Sequence, residues 1–127
     1  MGIRAWFRKQ RQWHRDHEAA WAPMRQRLPS GVNAFQERCE SQLIAALADR
    51  GLRLDHRRLD EREEPSITAD VSGAGITVWI HPDTVEAFAG ESEIVRIEEW
   101  DRRTPDELLR DYVERVTTAL SRSEGLQ

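Results

Sequence analysis

The stretch ITADVSGAGITVWI, residues 67–80, decides the fold of this 127-residue chain. Aliphatic residues recur at every second position on both sides of Ser72–Gly75, whose glycines mark a turn. Two such runs joined by a short glycine-containing segment are typical of a β-hairpin with one buried face. The sequence therefore predicts an antiparallel sheet built around this hairpin.

Weaker signals on either side of the hairpin extend the sheet. Residues 52–56 alternate and residues 94–97 form a short β-branched run, so each is predicted to be a strand. The charged stretch 60–65 is expected to be a loop or the end of a hairpin. Asp83 and Glu86 have the spacing of a capping box, which predicts a helical turn over residues 83–89. These assignments give a small sheet of about three to four strands.

Three helices are predicted around the sheet. Residues 3–21 form an amphipathic pattern, and Pro23 ends it. Residues 32–50 repeat apolar positions at spacings of three and four. Residues 105–120 carry an apolar stripe behind a capping hydroxyl and a proline at the first helical position. The chain is thus predicted to be an α+β protein with two N-terminal helices and a C-terminal amphipathic helix.

The same pattern divides the chain into three parts. We expect a basic aromatic N-terminal arm over residues 1–29, an α+β domain over 30–121 and a flexible tail over 122–127. No apolar run approaches the roughly 20 residues of a membrane span, and none follows the basic N-terminus as in a secretory signal. Cys39 is the single cysteine, so no intramolecular disulfide can form. A cytoplasmic location is expected.

Charge and aromatic residues are distributed unevenly along the chain. Residues 1–30 hold seven basic residues against two acidic ones, whereas the remainder holds twelve arginines against twenty-one acids. Such a protein has one surface suited to anions or acidic partners and another that repels them. Residues 1–30 also hold four of the nine aromatic residues, namely Trp6, Phe7, Trp13 and Trp21.

The first helix has three possible roles. Its tryptophan face could pack as ordinary core, bind a partner protein or a second copy, or support a basic stripe that meets nucleic acid or anionic lipid. The acidic remainder of the chain argues against nucleic acid, because it repels phosphates. His17 and Gln10 within the apolar face argue against lipid. The two faces consist of Trp6, Trp13 and Trp21 on one side and Arg4, Arg8, Arg11 and Arg15 on the other.

A second candidate surface lies near the end of the last predicted strand. Acidic residues concentrate between positions 91 and 111, and Trp100 lies among them. A tryptophan among acids is more typical of an interface than of a solvated surface. Glu98, Glu99 and Trp100 are therefore candidate contacts for a basic protein partner.

Catalytic and metal-binding patterns are weak. His81 and Asp83 could form part of a small active site, but no serine or cysteine lies in a nucleophile-elbow context. His14 and His17 have helical spacing for one metal ion but lack a clear third ligand. Ser72–Gly75 contains G-x-G without a third glycine and lies between strands, which argues against dinucleotide binding. We therefore predict no catalytic residues, no metal and no cofactor.

Taken together, these features favour a small protein-binding domain without catalytic activity. In composition it is similar to the small acidic binding proteins of bacteria, such as immunity proteins, although no motif supports that analogy. The partner is expected to be another protein, possible partners being a basic protein or a second copy. The alternatives are a binder of nucleic acid or anionic membranes and an enzyme using His81 and Asp83. The predicted partner-binding residues are Trp6, Trp13, Trp21, Arg8, Arg11, Glu98, Glu99 and Trp100.

Overall fold

The computed structural model describes residues 2–56, 65–98 and 102–125, with side chains through Arg122. It is an α+β protein, as predicted. In chain order, its elements are helix α1 (Ile3–Trp21), a short 3-10 helix (Ala22–Arg25), helix α2 (Ala34–Ala48), strands β1 (Leu54–His56), β2 (Ile67–Val71), β3 (Ile76–Ile80), β4 (Thr84–Ala89) and β5 (Ser92–Glu98), and helix α3 (Pro105–Gly125).

The five strands form one antiparallel sheet in the order β1-β2-β3-β4-β5. The predicted hairpin is confirmed, with Val71 opposite Ile76 and with positive φ angles at Gly73 and Gly75 in its turn. The sheet has five strands, whereas about three to four were predicted. The helical turn predicted over residues 83–89 is wrong, because this segment is strand β4. Inward-facing Val85 and Ala87 pair with strands on both sides, and this pairing outweighs a local capping signal.

Helices α2 and α3 cover one face of the sheet. Alternate residues of β2 to β5 point toward them and are buried. The hydroxyl of Tyr112 on α3 donates a hydrogen bond of 2.8 Å to the carbonyl of Glu86 on β4, which joins helix and sheet. The core between these layers includes Phe35, Leu43, Leu47, Val78, Ile80, Leu109 and Val116.

A buried glutamine fixes the start of α2 against the sheet. Asn33 and Gln36 form a capping box, in which each side chain accepts a hydrogen bond from the backbone N–H of the other. The side-chain amide of Gln36 also donates to the carbonyls of Pro65 and Ile80, at 2.6 and 3.0 Å. The Asn33 amide donates to the Pro82 carbonyl at 2.7 Å. The beginning of α2 is thereby held at the edge of the sheet where β2 and β4 begin and β3 ends.

Helix α3 begins as the sequence predicts. The Thr104 hydroxyl accepts a hydrogen bond from the Glu107 N–H, and Pro105 occupies the first helical position. Leu109 and Val116 on its apolar stripe are buried. The helix continues to Gly125, five residues beyond the predicted end.

Helix α1 is attached to the domain at its C-terminal end. Trp21 is completely buried, and its ring lies 5.2 Å from that of Phe35 on α2. Its indole N–H donates to the Arg103 carbonyl at 3.3 Å. Pro23 follows in the 3-10 helix, where the predicted break occurs. Ahead of Trp21, no residue of α1 among those described is fully buried, so this helix forms an arm.

Candidate functional site

The distal half of α1 presents large apolar side chains to solvent. Ile3, Trp6 and Phe7 are 74%, 58% and 52% exposed. The Trp6 and Phe7 rings contact each other edge to face, with 5.0 Å between their centroids. Three such residues on successive turns form a continuous apolar patch, whereas isolated exposed apolar residues are common on protein surfaces. We call this group, Ile3, Trp6 and Phe7, the arm patch.

Basic side chains run alongside the arm patch. Arg4, Arg8 and Arg11 are exposed and, with Phe7, line a shallow groove on the helix. No ion pair of these three arginines is found among the described residues. Their guanidinium groups are thus available to carboxylates outside the arm. We call Arg4, Arg8 and Arg11 the arginine stripe.

The root of the arm is held by a series of ring contacts. Trp13 stacks on His17 at 4.9 Å, His17 contacts Trp21 at 6.2 Å, and Trp21 reaches Phe35 in the core. The Arg102 guanidinium lies 5.6 Å from the centre of the Trp13 ring, within cation–π range. His17 Nε2 is buried and has no hydrogen-bond partner among the described residues. The arm is therefore anchored from Trp13 onward, whereas nearer its start the described ring contact joins Trp6 and Phe7 to each other and not to the core.

The predicted contact residues occupy different environments. Trp6, Arg8 and Arg11 are exposed on the distal arm, and Trp13 is half-buried at its root. Trp21 is a core residue, so it holds the arm and has no surface to offer a partner. Glu98 is half-buried at the end of β5, whereas Glu99 and Trp100 lie outside the described residues. Of the second predicted surface, the described part of the chain thus includes Glu98 alone.

The sheet face opposite α2 and α3 is a further surface, which the sequence analysis did not identify. We call it the open face. Trp79 on β3 is 36% exposed there, and Phe88 on β4 is half-buried. Thr77, also on β3, is directly opposite Phe88 in the register of β3 and β4. Helices α2 and α3 pack against the opposite face, so they do not cover these aromatic side chains.

Carboxylates surround the aromatic residues of the open face. Asp55 on β1 lies directly opposite Asp70 on β2 in the register of the sheet. The Thr77 hydroxyl donates a hydrogen bond of 2.8 Å to the Asp70 carboxylate. Arg96 on β5 contacts Glu86 at 3.6 Å and Glu93 at 2.9 Å. Strand alternation places these acids on one face. Among the described residues of β1 to β5, its acids are Asp55, Asp70, Glu86, Glu93 and Glu98, and its only arginine is Arg96.

His81 belongs to a polar cluster at one end of the open face. Its Nδ1 lies 2.7 Å from the Ser66 hydroxyl, and its Nε2 lies 4.0 Å from a carboxylate oxygen of Glu86. The Trp79 ring stacks on the imidazole at 6.0 Å. None of the described contacts of His81 involves Asp83, the partner considered from sequence. Ser66 is only 7% exposed, so the cluster orients the imidazole beside Trp79 without presenting its hydroxyl to solvent.

Other reactive groups are enclosed in the core. Cys39 is fully buried, and burial, followed by the negative charge of Glu40, raises the pKa of its thiol far above the ordinary range.

In the described part of the chain, no group of three His, Cys, Asp or Glu side chains is arranged to hold a metal ion. Likewise, none of the described helices is both long and apolar enough to cross a membrane.

Comparison of the chain with known protein families, with curated proteins and with solved structures found no match. Function is therefore inferred from the surfaces of this chain. Within the described residues, the arm and the open face each combine exposed aromatic side chains with charge, of opposite sign in the two cases.

Proposed function

We propose that this protein is a non-catalytic protein-binding domain and that the distal half of α1 is its binding element. The observation that carries the proposal is the exposure of Ile3, Trp6 and Phe7 on one side of a helix whose root is anchored in the core. An anchored helix holds these side chains in fixed positions before binding. Binding then orders little additional chain, which favours affinity.

The composition of the arm suits a protein partner. Burying a side chain such as isoleucine or phenylalanine stabilises by roughly 1.5–3 kcal/mol, so the arm patch offers several kcal/mol to an apolar groove. Tryptophan and arginine are the residue types that contribute most often to binding energy at interfaces. An amphipathic helix lying in a groove is a common mode of recognition between proteins. The arginine stripe implies carboxylates at the edge of that groove.

Charge favours a protein over the phosphate-bearing alternatives. The chain outside residues 1–30 carries nine more acids than arginines, and a nucleic acid or an anionic membrane would repel it. A protein surface can confine its acidic residues to the area that meets the arm. An anionic membrane remains the second candidate, because tryptophan, phenylalanine and arginine on one helix also suit a lipid surface.

The proposal is tested by capturing partners from the source cell with matched variants. The immobilised protein is compared with Trp6→Ala/Phe7→Ala, which removes two rings of the arm patch. Ile44→Ala is the control, since Ile44 is an exposed apolar residue on α2, 41% exposed and outside the arm. Circular dichroism of all three proteins establishes that they are folded.

We expect at least one protein to be retained by the natural sequence and by Ile44→Ala, but lost with Trp6→Ala/Phe7→Ala. Direct titration of that protein should show affinity reduced by a factor of ten or more, because two buried rings contribute at least about 1.4 kcal/mol. Partners retained equally by all three proteins, or sedimentation with anionic vesicles that depends on the same rings, would contradict the proposal.

A further inference from the structure

The arm and the open face have complementary chemistry. The arm combines a continuous apolar patch with arginines, and the open face combines Trp79 and Phe88 with an excess of carboxylates. A guanidinium group stacks on aromatic rings and forms paired hydrogen bonds with carboxylates. Each surface therefore offers the groups that the other would recognise.

The dimensions of the two surfaces also agree. Helix α1 has nineteen residues, a length of about 28 Å at 1.5 Å per residue. Five strands spaced about 4.8 Å apart are roughly 20 Å wide. The part of α1 ahead of the anchored Trp13, residues 3–12, is about 15 Å long and can thus cover most of the width of the open face. A helix packed on an antiparallel sheet is also the arrangement that already covers the other face of this sheet.

The arm is held away from the open face of its own chain. Its root is fixed to Phe35 on α2 and to the Arg103 carbonyl before α3, both of which belong to the helix-covered side. The exposed fractions of Ile3, Trp6 and Phe7 show that the arm patch makes no such contact within one chain. A second copy of the chain carries the same arm patch and arginine stripe and is therefore able to supply them to this face.

We infer that the open face of the sheet receives helix α1 of a second copy, so that two copies exchange their arms in a symmetric dimer. This inference rests on the proposed role of α1 as a binding element and names its partner. In a two-fold arrangement, each copy contributes one arm and one open face. The two contacts form together, which doubles the buried area and strengthens the association.

Sedimentation velocity over a range of concentrations tests the inference. The natural sequence should form dimers, and so should the control Ile44→Ala. Arg8→Glu/Arg11→Glu reverses charge on the arm, and Asp55→Arg/Glu93→Arg reverses charge on the open face. All four side chains are exposed, so the folds should persist. Each double variant alone should be monomeric, with the dissociation constant raised at least tenfold.

Mixing the two charge-reversed proteins gives the decisive measurement. In a mixed pair, the acidic arm of one copy meets the basic open face of the other, while the natural arm meets the natural open face. Both contacts are then complementary, so the mixture should form dimers although neither component does. A mutation that merely damages the fold would not be rescued in this way.

A natural sequence that is monomeric at every concentration would overturn the inference, as would dimers unaffected by either double variant or a mixture that stays monomeric. If Trp6→Ala/Phe7→Ala still abolishes capture of another protein under such a result, the proposed function stands and only the partner is wrong. If those substitutions affect neither assembly nor capture, both proposals fail. Binding of monomeric protein to anionic vesicles would identify a lipid surface instead.

Discussion

The indole N–H of Trp21 donates a hydrogen bond of 3.3 Å to the backbone carbonyl of Arg103. This bond joins the C-terminal end of α1 to the segment that immediately precedes α3. The two residues are 82 positions apart. Because the Trp21 ring also packs on Phe35, one side chain links three parts of the chain. The position of the arm thus depends on the folded core.

This arrangement predicts very unequal effects on stability for two tryptophans of one helix. Trp21→Ala should lower the free energy of unfolding by about 3–5 kcal/mol, because a completely buried ring is removed. Trp6→Ala should change it by less than about 0.5 kcal/mol, because that ring is mostly exposed. Urea denaturation followed by circular dichroism measures both. Equal destabilisation by the two substitutions would show that the distal arm also packs on the core.

The buried amide of Gln36 is expected to be important for stability. Gln36→Ala leaves the carbonyls of Pro65 and Ile80 without this donor and removes half of the capping box. Because an unsatisfied buried group costs about 1–3 kcal/mol, we expect a loss of about 2–4 kcal/mol in the free energy of unfolding. The control is Gln42→Ala on the same helix, which is only half-buried. Thermal or urea denaturation that fails to separate the two variants would contradict this role.

His17 provides a prediction of the opposite sign. Its buried Nε2 has no hydrogen-bond partner among the described residues, although the ring lies between Trp13 and Trp21. His17→Leu removes this polar atom and keeps an apolar side chain in place. We expect stability to rise by about 1 kcal/mol, whereas His14→Leu, at an exposed position, should have little effect. A loss of stability with His17→Leu alone would indicate that the ring stacking outweighs the unsatisfied nitrogen.

The fold could be predicted from sequence wherever the signal is local. The hairpin around Ser72–Gly75 and the start of α3 at Thr104 and Pro105 are each encoded within a few residues, and both are confirmed. Strand β4 was missed, because the spacing of Asp83 and Glu86 resembles a helix start. Its strand state depends on pairing with β3 and β5, which are separate segments of the chain.

The candidate site could be predicted only in part, for the same reason. Trp6 and Trp21 lie on one helical stripe, and the sequence gives no reason for one to be exposed and the other buried. The difference comes from Phe35 and Arg103, which are distant in the chain. The contact between Ser66 and His81, by contrast, follows from extending the hairpin register that pairs Ile67 with Ile80. That contact is therefore encoded locally in the sequence.

Two buried groups that lose a proton at alkaline pH, the Cys39 thiol and the Tyr112 hydroxyl, make the stability of the protein sensitive to alkaline pH. Burial is the main cause that raises the pKa of both Cys39 and Tyr112 in the folded state, and negative charges nearby add to it. At neutral pH both groups are protonated whether the chain is folded or unfolded, so neither affects stability there. Above the ordinary pKa values, about 8.5 for cysteine and 10 for tyrosine, only the unfolded chain ionises.

The free energy of unfolding should therefore fall as pH rises, by up to about 1.4 kcal/mol per pH unit for each group. Urea denaturation between neutral and alkaline pH measures this slope, and Cys39→Ala should lessen the part that begins first. Tyr112 is the single tyrosine, so tyrosinate absorbance reports on it alone. Because its hydroxyl is buried and donates to the Glu86 carbonyl, absorbance should stay low until the protein unfolds and then rise together with the loss of helical circular dichroism. A gradual rise in tyrosinate absorbance near the ordinary pKa, while the protein is still folded, would show that the Tyr112 hydroxyl is accessible to solvent and that α3 does not cover the sheet at this residue.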